Sequence, residues 1–331
     1  MIGLEFVLFV AALLVLAGSL YFWRQSFRRS TSIGRASLAT FSAFTLILGG
    51  HLLMFSGYFL WNAHRPLPVT EQILLFQGVT YIRDVRSQPH PMVIDVVSID
   101  LNAPGLRFLV TPGEPTDGYQ LPSRTTSQFL RDFNVQLAIN GDCCQHWYSR
   151  TPWDYYPHPG QGVNVEGFAS SRGIVYSTSR PERPTLYISA NNKASFEKPA
   201  DSIYNAISGL LMIIENGKSS PNLASSGSEI TDTLEPRTAY ALDKNASHLL
   251  LFTVDGRQAG YSEGASIAEL VDIMLHYGGY TAMNVDGGGS TALVMQDANG
   301  WPVVLNSPID SYIPGRERPV GNHLGIYANR P

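Results

Sequence analysis

Residues 249–291 read LLLFTVDGRQAGYSEGASIAELVDIMLHYGGYTAMNVDGGGST, and the reading of this stretch decides the fold. It holds two apolar runs, 249–254 and 281–285, each ending in Asp-Gly, with a helical segment between them. Ile267, Leu270, Val271, Met274 and Leu275 follow the i, i+3, i+4, i+7, i+8 stripe of an amphipathic helix. Ser266 with Glu269 three residues later makes a capping box, and Gly278 and Gly279 supply the stop, so a helix is expected over 267–277. Strand, helix, strand in that order is the pattern of a βαβ unit with parallel strands. The C-terminal ends of parallel strands share one sheet edge, where open α/β sheets bind ligands. Asp255 and Asp286 are then expected to emerge together. A third run, VQLAINGD at 135–142, ends the same way and adds Asn140 if its strand is parallel too. One Asn-Gly or Asp-Gly pair merely ends a strand. Three, two of them flanking a capped helix, point to a composite site.

Gly287, Gly288 and Gly289, followed by Ser290 and Thr291, let the backbone take positive φ and let a ligand approach it. Such loops can offer concave N–H groups to an anion. This one matches neither the P-loop nor the dinucleotide fingerprint. Guanidinium groups, which bind phosphate bidentately, could complete an anion site. Arg237 precedes a strand, Arg257 follows Asp255, and Arg316 and Arg318 lie in PGRERP.

Outward from this centre, short apolar runs bounded by Gly, Pro, Asn or Asp read as strands at 73–76, 92–99, 106–110, 185–188, 210–214, 248–254, 292–296, 301–305 and 323–327. The Asn299-Gly300 pair is a hairpin signal. A second helix is expected over 126–133. Residues 142–165, rich in aromatics, Pro and Gly, read as a long irregular loop, its aromatics being either buried or a sugar-stacking rim. The fold class is α+β: a mixed β-sheet domain with few helices.

Two hydrophobic spans precede that domain. Residues 2–23 carry Glu5 as their only charge, and 36–61 carry His51 as their only ionisable group; each is long enough to cross a bilayer. Tyr21, Trp23, Tyr58 and Trp61 sit near span ends, where amphipathic rings favour the interface. The connecting loop, 24–35, holds four arginines and no acid, so the positive-inside rule is expected to put it in the cytoplasm. Both the N-terminus and everything beyond a linker at 62–70 then lie outside, the remaining domain running over 71–331. A cleaved signal peptide fits less well, because no basic n-region precedes the first span and a second follows.

The net charge is −4, and the basic N-terminal loop makes the remainder more acidic still, which argues against nucleic acid as a partner. Two adjacent cysteines, Cys143 and Cys144, exclude a disulfide framework and a cysteine zinc site. They read as small buried residues or, alternatively, as a vicinal disulfide.

The segments NGDCC (140–144), SGLLMIIENGK (208–218), EPRTAYAL (235–242), VDGRQAGYSEGASIAEL (254–270) and NVDGGGST (284–291) together resemble, in order, the phosphodiester glycosidase family. The resemblance runs from about Gln77 to Tyr327. Cys143 and Cys144 stand where relatives often have aromatics, and Val285 where Leu is usual. The animal member's cysteine-rich extensions and C-terminal anchor have no counterpart in this sequence, so a bacterial envelope or exopolysaccharide glycan is the expected setting.

The resemblance implies hydrolysis between a sugar anomeric carbon and a phosphodiester oxygen. Asp286 and Asp255 are the expected carboxylates, with Arg237, the glycine loop and Ser290 on the phosphate. Asn140, Asp142 and Ser262 are expected on sugar hydroxyls, with Arg257, Gly264 and Thr291 also among the substrate-binding residues. Two alternatives remain open. One is a metal-dependent phosphodiesterase holding a divalent cation through Asp255, Asp286 and Asn140. The other is a non-catalytic glycan-binding protein.

Overall fold

The computed structural model describes residues 4–28, 32–151, 153–221, 223 and 232–331; Ile2 of the first span and Arg29 of the basic loop lie outside them. The chain divides into two compact units, Met1–Pro66 and Leu67–Pro331. In the first, helices Leu4–Ser26 and Ser32–Ala63 pack side by side, Gly49 against Leu16 and Gly57 against Phe9. Their apolar stretches, Phe6–Ser26 and Ile33–Ala63, have mean hydropathies of 2.3 and 1.7 and are long and apolar enough to cross a membrane.

In the second unit, alternating large aliphatic residues build the two packed sheets that carry the site; the described residues form three further sheets, the largest of five strands within residues 168–208. The larger has eight strands in the order Glu71–Phe76, Val79–Arg86, Met92–Asp100, His248–Val254, Arg237–Leu242, Thr281–Asn284, Leu211–Glu215 and Lys218–Ser219. Every neighbouring pair in it is antiparallel. The smaller sheet has five, ordered Pro302–Val304, Leu293–Gln296, Leu137–Asn140, His323–Tyr327 and Arg107–Val110. Tyr81, Val97, Tyr240, Leu251 and Met283 from the first meet Leu137, Ile139, Leu293, Leu324 and Ile326 from the second in one buried cluster.

A helix covers each outer face. Ile267–His276, capped by Ser266 and Glu269 as expected, lays Ile267, Leu270, Val271 and Met274 on Ile94, Ala239, Leu250 and Phe252. Each aliphatic side chain so buried contributes about 1.5–3 kcal/mol. Thr126–Phe133, capped by Thr125 and Gln128 and stopped by Asn134 in the left-handed region, puts Phe129 and Leu130 on the smaller sheet. The molecule is α+β, mostly sheet.

The expected βαβ pairing is corrected in one respect. The strands at 248–254 and 281–284 do run the same way, but they are not neighbours. Arg237–Leu242 lies between them, antiparallel to both, with Arg237 opposite Val254 and Ala239 opposite Asn284. Asp255 and Asp286 therefore leave the same end of the sheet, two strand spacings or roughly 10 Å apart, with Arg237 entering between them. The strand ending at Asn140 belongs to the other sheet and pairs antiparallel with 293–296 and 323–327. The segment 142–165 is also not wholly irregular: Gly162–Val165 is a strand, paired with Leu121–Pro122 and Cys144–Gln145.

Candidate functional site

Above that sheet end lies a cleft of about 750 Å³. Its floor is Asn284, Asp286 and the three glycines, its sides carry Arg237, Arg257 and Arg318, and its rim includes Trp147 and Tyr312. A cleft of this size suits a small ligand of several rings.

Asp286 sits where the strand gives way to the glycine loop. One of its carboxylate oxygens, Oδ2, is buried with no hydrogen-bond partner among the described residues. Burial raises its pKa, while Arg318, the Ser290 hydroxyl and the Cys143 thiol pull it back. An unsatisfied buried carboxylate oxygen costs stability, which is what a site kept ready for a ligand shows. Its main chain is held from the other sheet: Asn140 Nδ2 donates to the Asp286 carbonyl at 2.7 Å. Asn140 Oδ1 accepts from Thr238 Oγ1 at 3.0 Å and from Ala292 N–H at 3.1 Å. Asn140 thus positions Asp286 from beneath, and its amide is spent on protein.

Three of the glycine loop's amides, those of Gly288, Ser290 and Thr291, donate to the carbonyls of Pro236, Gly287 and Gly288. The glycines also leave room. A Cβ on Gly287 would lie 2.6 Å from the Pro236 carbonyl, one on Gly288 3.2 Å from Arg257 Nη2, and one on Gly289 2.5 Å from Arg318 Nη2. Gly288 also has φ +58°. The loop is stripped of side chains so that two guanidinium groups can lie against it.

Those guanidiniums are anchored at one edge. Arg318 Nε donates to Asp310 Oδ1 at 2.7 Å and Nη1 to Ser290 Oγ at 3.3 Å. Arg257 pairs with Glu235. Arg237 is buried, its Nε donating to the Ala265 carbonyl at 2.9 Å and its Nη2 to the Thr233 carbonyl at 2.8 Å. Arg316 turns to Asp310 and Tyr155.

Asp142 lies behind the cleft. Its Oδ1 accepts from Arg183 Nη1 at 3.1 Å, and its Oδ2 is buried near the Gly167 backbone. Burial pushes its pKa up to about 7, against the pull of Arg183 and with the push of Asp286 and Glu166. Glu166 lines the cleft and takes Arg183 at 2.6 Å and Arg180 at 2.9 Å.

Asp255 is not part of the cleft lining. It is fully buried, its Oδ1 accepting from Ser307 N–H at 2.7 Å and from Asn306 Nδ2 at 3.1 Å, its Oδ2 from Tyr261 at 3.3 Å. Ser262 is buried beside it, donating to the Asp255 carbonyl and accepting from Val93 N–H. Gly264, at φ +110°, packs its Cα face on the Glu235 backbone. Thr291 accepts from Thr238 and is also buried. These four hold strand ends together.

The structure therefore gathers Asp286, Arg237, Arg257 and the three glycines around one cleft, with Ser290 behind Asp286. It leaves Asp255, Ser262, Gly264 and Thr291 in the framework. Arg318 and Cys143 are the residues that the strand-end pattern did not single out as contacts of Asp286. The cysteines are free thiols with Sγ atoms 3.4 Å apart. Of the oxygen set Asp255, Asp286 and Asn140 that a divalent cation would use, the Asp255 carboxylate and Asn140 Oδ1 already accept from protein donors.

The phosphodiester glycosidase family profile matches residues 133–327, and no curated protein matches the chain. A crystal structure of a hypothetical protein from Synechocystis superposes with TM-score 0.57 at 16% identity, over 79% of this chain and 64% of that one. The catalytic domain of zebrafish N-acetylglucosamine-1-phosphodiester α-N-acetylglucosaminidase, auto-inhibited by its pro-peptide, superposes with TM-score 0.52 at 18% identity, over 81% of this chain and 86% of that one. At such identities the solved structures speak for the fold alone. The family match covers more than half of the chain and takes in the whole of the cleft's floor: this chain belongs to the phosphodiester glycosidase family.

Proposed function

We propose that this protein is a membrane-anchored extracytoplasmic hydrolase that cleaves the bond between a sugar anomeric carbon and a phosphodiester oxygen, acting on an envelope or exopolysaccharide glycan. The observation that carries this reading is the unpartnered, buried Oδ2 of Asp286 in a cleft walled by guanidinium groups. A phosphate-ester leaving group is a weak base and needs little protonation. It needs its growing charge stabilised as the C–O bond breaks, which fixed cations in a cleft supply. Arg318 and Arg257, seated against the glycine loop, and Arg237 between the strands are assigned that role. The oxocarbenium-like centre needs a carboxylate on its other side, to activate water or to attack. Asp286 is assigned that role, and its upward-shifted pKa makes it a better base than an exposed aspartate.

Two N-terminal helices separated by a basic turn support the orientation, with the catalytic unit opposite the cytoplasm. The test is product identity. Full-length protein in detergent, given a sugar-1-phosphate methyl ester, is expected to release free sugar and methyl phosphate. Release of sugar-1-phosphate and methanol would overturn the reading in favour of a phosphodiesterase, and binding without turnover in favour of a glycan-binding protein.

A further inference from the structure

Cys143 and Cys144 are the chain's only cysteines, so an internal disulfide can form at this one place. The fold holds the two differently. Cys144 is buried with Leu121, Val163, Val165 and Ala169, and its main chain is paired with Val165 in a strand. Cys143 is half-buried in the cleft wall, and its thiol hydrogen-bonds the Asp286 carboxyl. The two sulfurs lie 3.4 Å apart. The hydrogen bond with Cys144 first, and then burial, pushes the Cys143 thiol up. In the reduced chain Cys143 therefore keeps its proton and serves Asp286 as a donor.

A disulfide favours Cα atoms about 5.5 Å apart. Adjacent residues offer about 3.8 Å, so a bond between them forms under strain. Strain makes a disulfide easier to reduce and is the mark of the labile, regulatory kind. Cys144 is fixed by its strand and its apolar neighbours, so Cys143 is the sulfur that must travel. Closing the bond removes the S–H of Cys143 and draws its sulfur from Asp286 to Cys144.

Resting on the extracytoplasmic hydrolase reading, which puts the cleft where disulfide oxidants occur, we propose that Cys143 and Cys144 are a reversible oxidation site that turns the enzyme down. The reagent is a disulfide, small or protein-borne. The Cys143 sulfur, open to the cleft, loses its proton and attacks one sulfur of the incoming disulfide, and the other sulfur leaves as a thiolate. The Cys144 sulfur, deprotonated in turn, then attacks that of Cys143 and expels the second thiolate. Two electrons and two protons pass from the cysteine pair to the oxidant, which ends as two thiols. A thiol reductant reverses both steps.

The experiment brings full-length protein in detergent to equilibrium at a series of glutathione to glutathione disulfide ratios. One part of each sample is assayed on the sugar-1-phosphate methyl ester. The other is quenched in acid, alkylated and read by intact mass. A single transition is expected to a species lighter by the two thiol hydrogens and closed to the alkylating reagent. Over the same transition kcat should fall about tenfold, the size of one lost hydrogen bond to a charged group. Dithiothreitol should restore both. Cys144→Ser keeps the Cys143 contact with Asp286, so it should match the reduced wild type in activity and never give the lighter species. Two free thiols at every ratio, a stable glutathione adduct in place of the ring, or an oxidised form as active as the reduced one would overturn the proposal. A clean mass transition in a chain that hydrolyses no ester would count against the hydrolase reading and leave the oxidation site standing.

Discussion

Two strand ends, Thr-Val-Asp255-Gly and Asn-Val-Asp286-Gly, are nearly the same tetrapeptide, and the fold uses them in opposite ways. Each aspartate leaves the same end of the same sheet. At Asp255 the 306–307 segment arrives and fills the carboxylate with a backbone N–H, an amide and, from Tyr261, a hydroxyl. At Asp286 no described residue fills Oδ2, and Arg318, the Ser290 hydroxyl and the Cys143 thiol approach the carboxylate instead. A buried carboxylate with its acceptors satisfied is a clamp; one left open beside cations is chemistry held in reserve. The difference lies in what distant segments bring to each end.

The sharpest way to break that contrast is to make the same change at both ends. Asp286→Asn should lower kcat by about 10²- to 10⁴-fold while leaving the melting temperature unchanged or raised, since it removes a buried charge. Asp255→Asn should be tolerated in both assays. Its Oδ1 can still accept from Ser307 and Asn306, its new amide can donate to Tyr261, and it no longer repels Asp95. The contrast fails if Asp255→Asn loses as much activity as Asp286→Asn.

Removing the clamp altogether tests its structural side. Asp255→Ala takes the acceptor from three donors, Ser307 N–H, Asn306 Nδ2 and the Tyr261 hydroxyl, at roughly 1–3 kcal/mol for each left unsatisfied, so urea unfolding should show a lowered midpoint with the loss falling on stability. A midpoint equal to wild type would contradict the clamp.

A smaller effect is expected at the glycine loop. Gly289→Ala places a Cβ 2.5 Å from Arg318 Nη2 and 2.8 Å from Asp310 Oδ1. The Arg318–Asp310 pair must shift to make room, and kcat/KM should fall about tenfold, the size of one weakened charged contact. Unchanged kinetics would mean that Arg318 does not touch the substrate.

A separate, pH-dependent effect concerns Asp95, buried behind the clamp. Burial first, then repulsion from Asp255, raises its pKa from 3.8 to about 8, against hydrogen bonds from Tyr81 and Arg83. Between those values the folded chain keeps a proton that the unfolded chain has released, so stability should fall as pH rises from about 4 to about 8 and level off above. Asp95→Asn should flatten that slope. A stability that climbs over the same range would reverse the assignment.

Much of the framework was legible because its signals are local. The capping box at Ser266, the helix stripe and the strands 185–188, 248–254 and 323–327 follow from residues within a few positions of one another. The strand Val79–Arg86 was not, because Arg83, Asp84 and Arg86 interrupt its apolar side and are balanced by Glu71, Asp95 and one another only after folding. The insertion of Arg237–Leu242 between two strands expected to pair is likewise a tertiary choice with no local mark. At the cleft, Asp286 and its glycines stood out by spacing. The burial of Asp255 and the approach of Arg318 depend on loops 28 to 52 residues away in sequence, where neither periodicity nor capping reports a destination. The glycines were visible, but the room they make for two guanidiniums was not, because Arg257 and Arg318 reach them only in the folded chain.

The central claim is that water attacks carbon and leaves the phosphorus untouched. Hydrolysis of a sugar-1-phosphodiester in oxygen-18 water, with mass analysis of the phosphomonoester released, tests it most directly. The account predicts a phosphomonoester free of the heavy oxygen, because the bond broken is between the anomeric carbon and oxygen. Heavy oxygen in the phosphate would place the attack at phosphorus and contradict it.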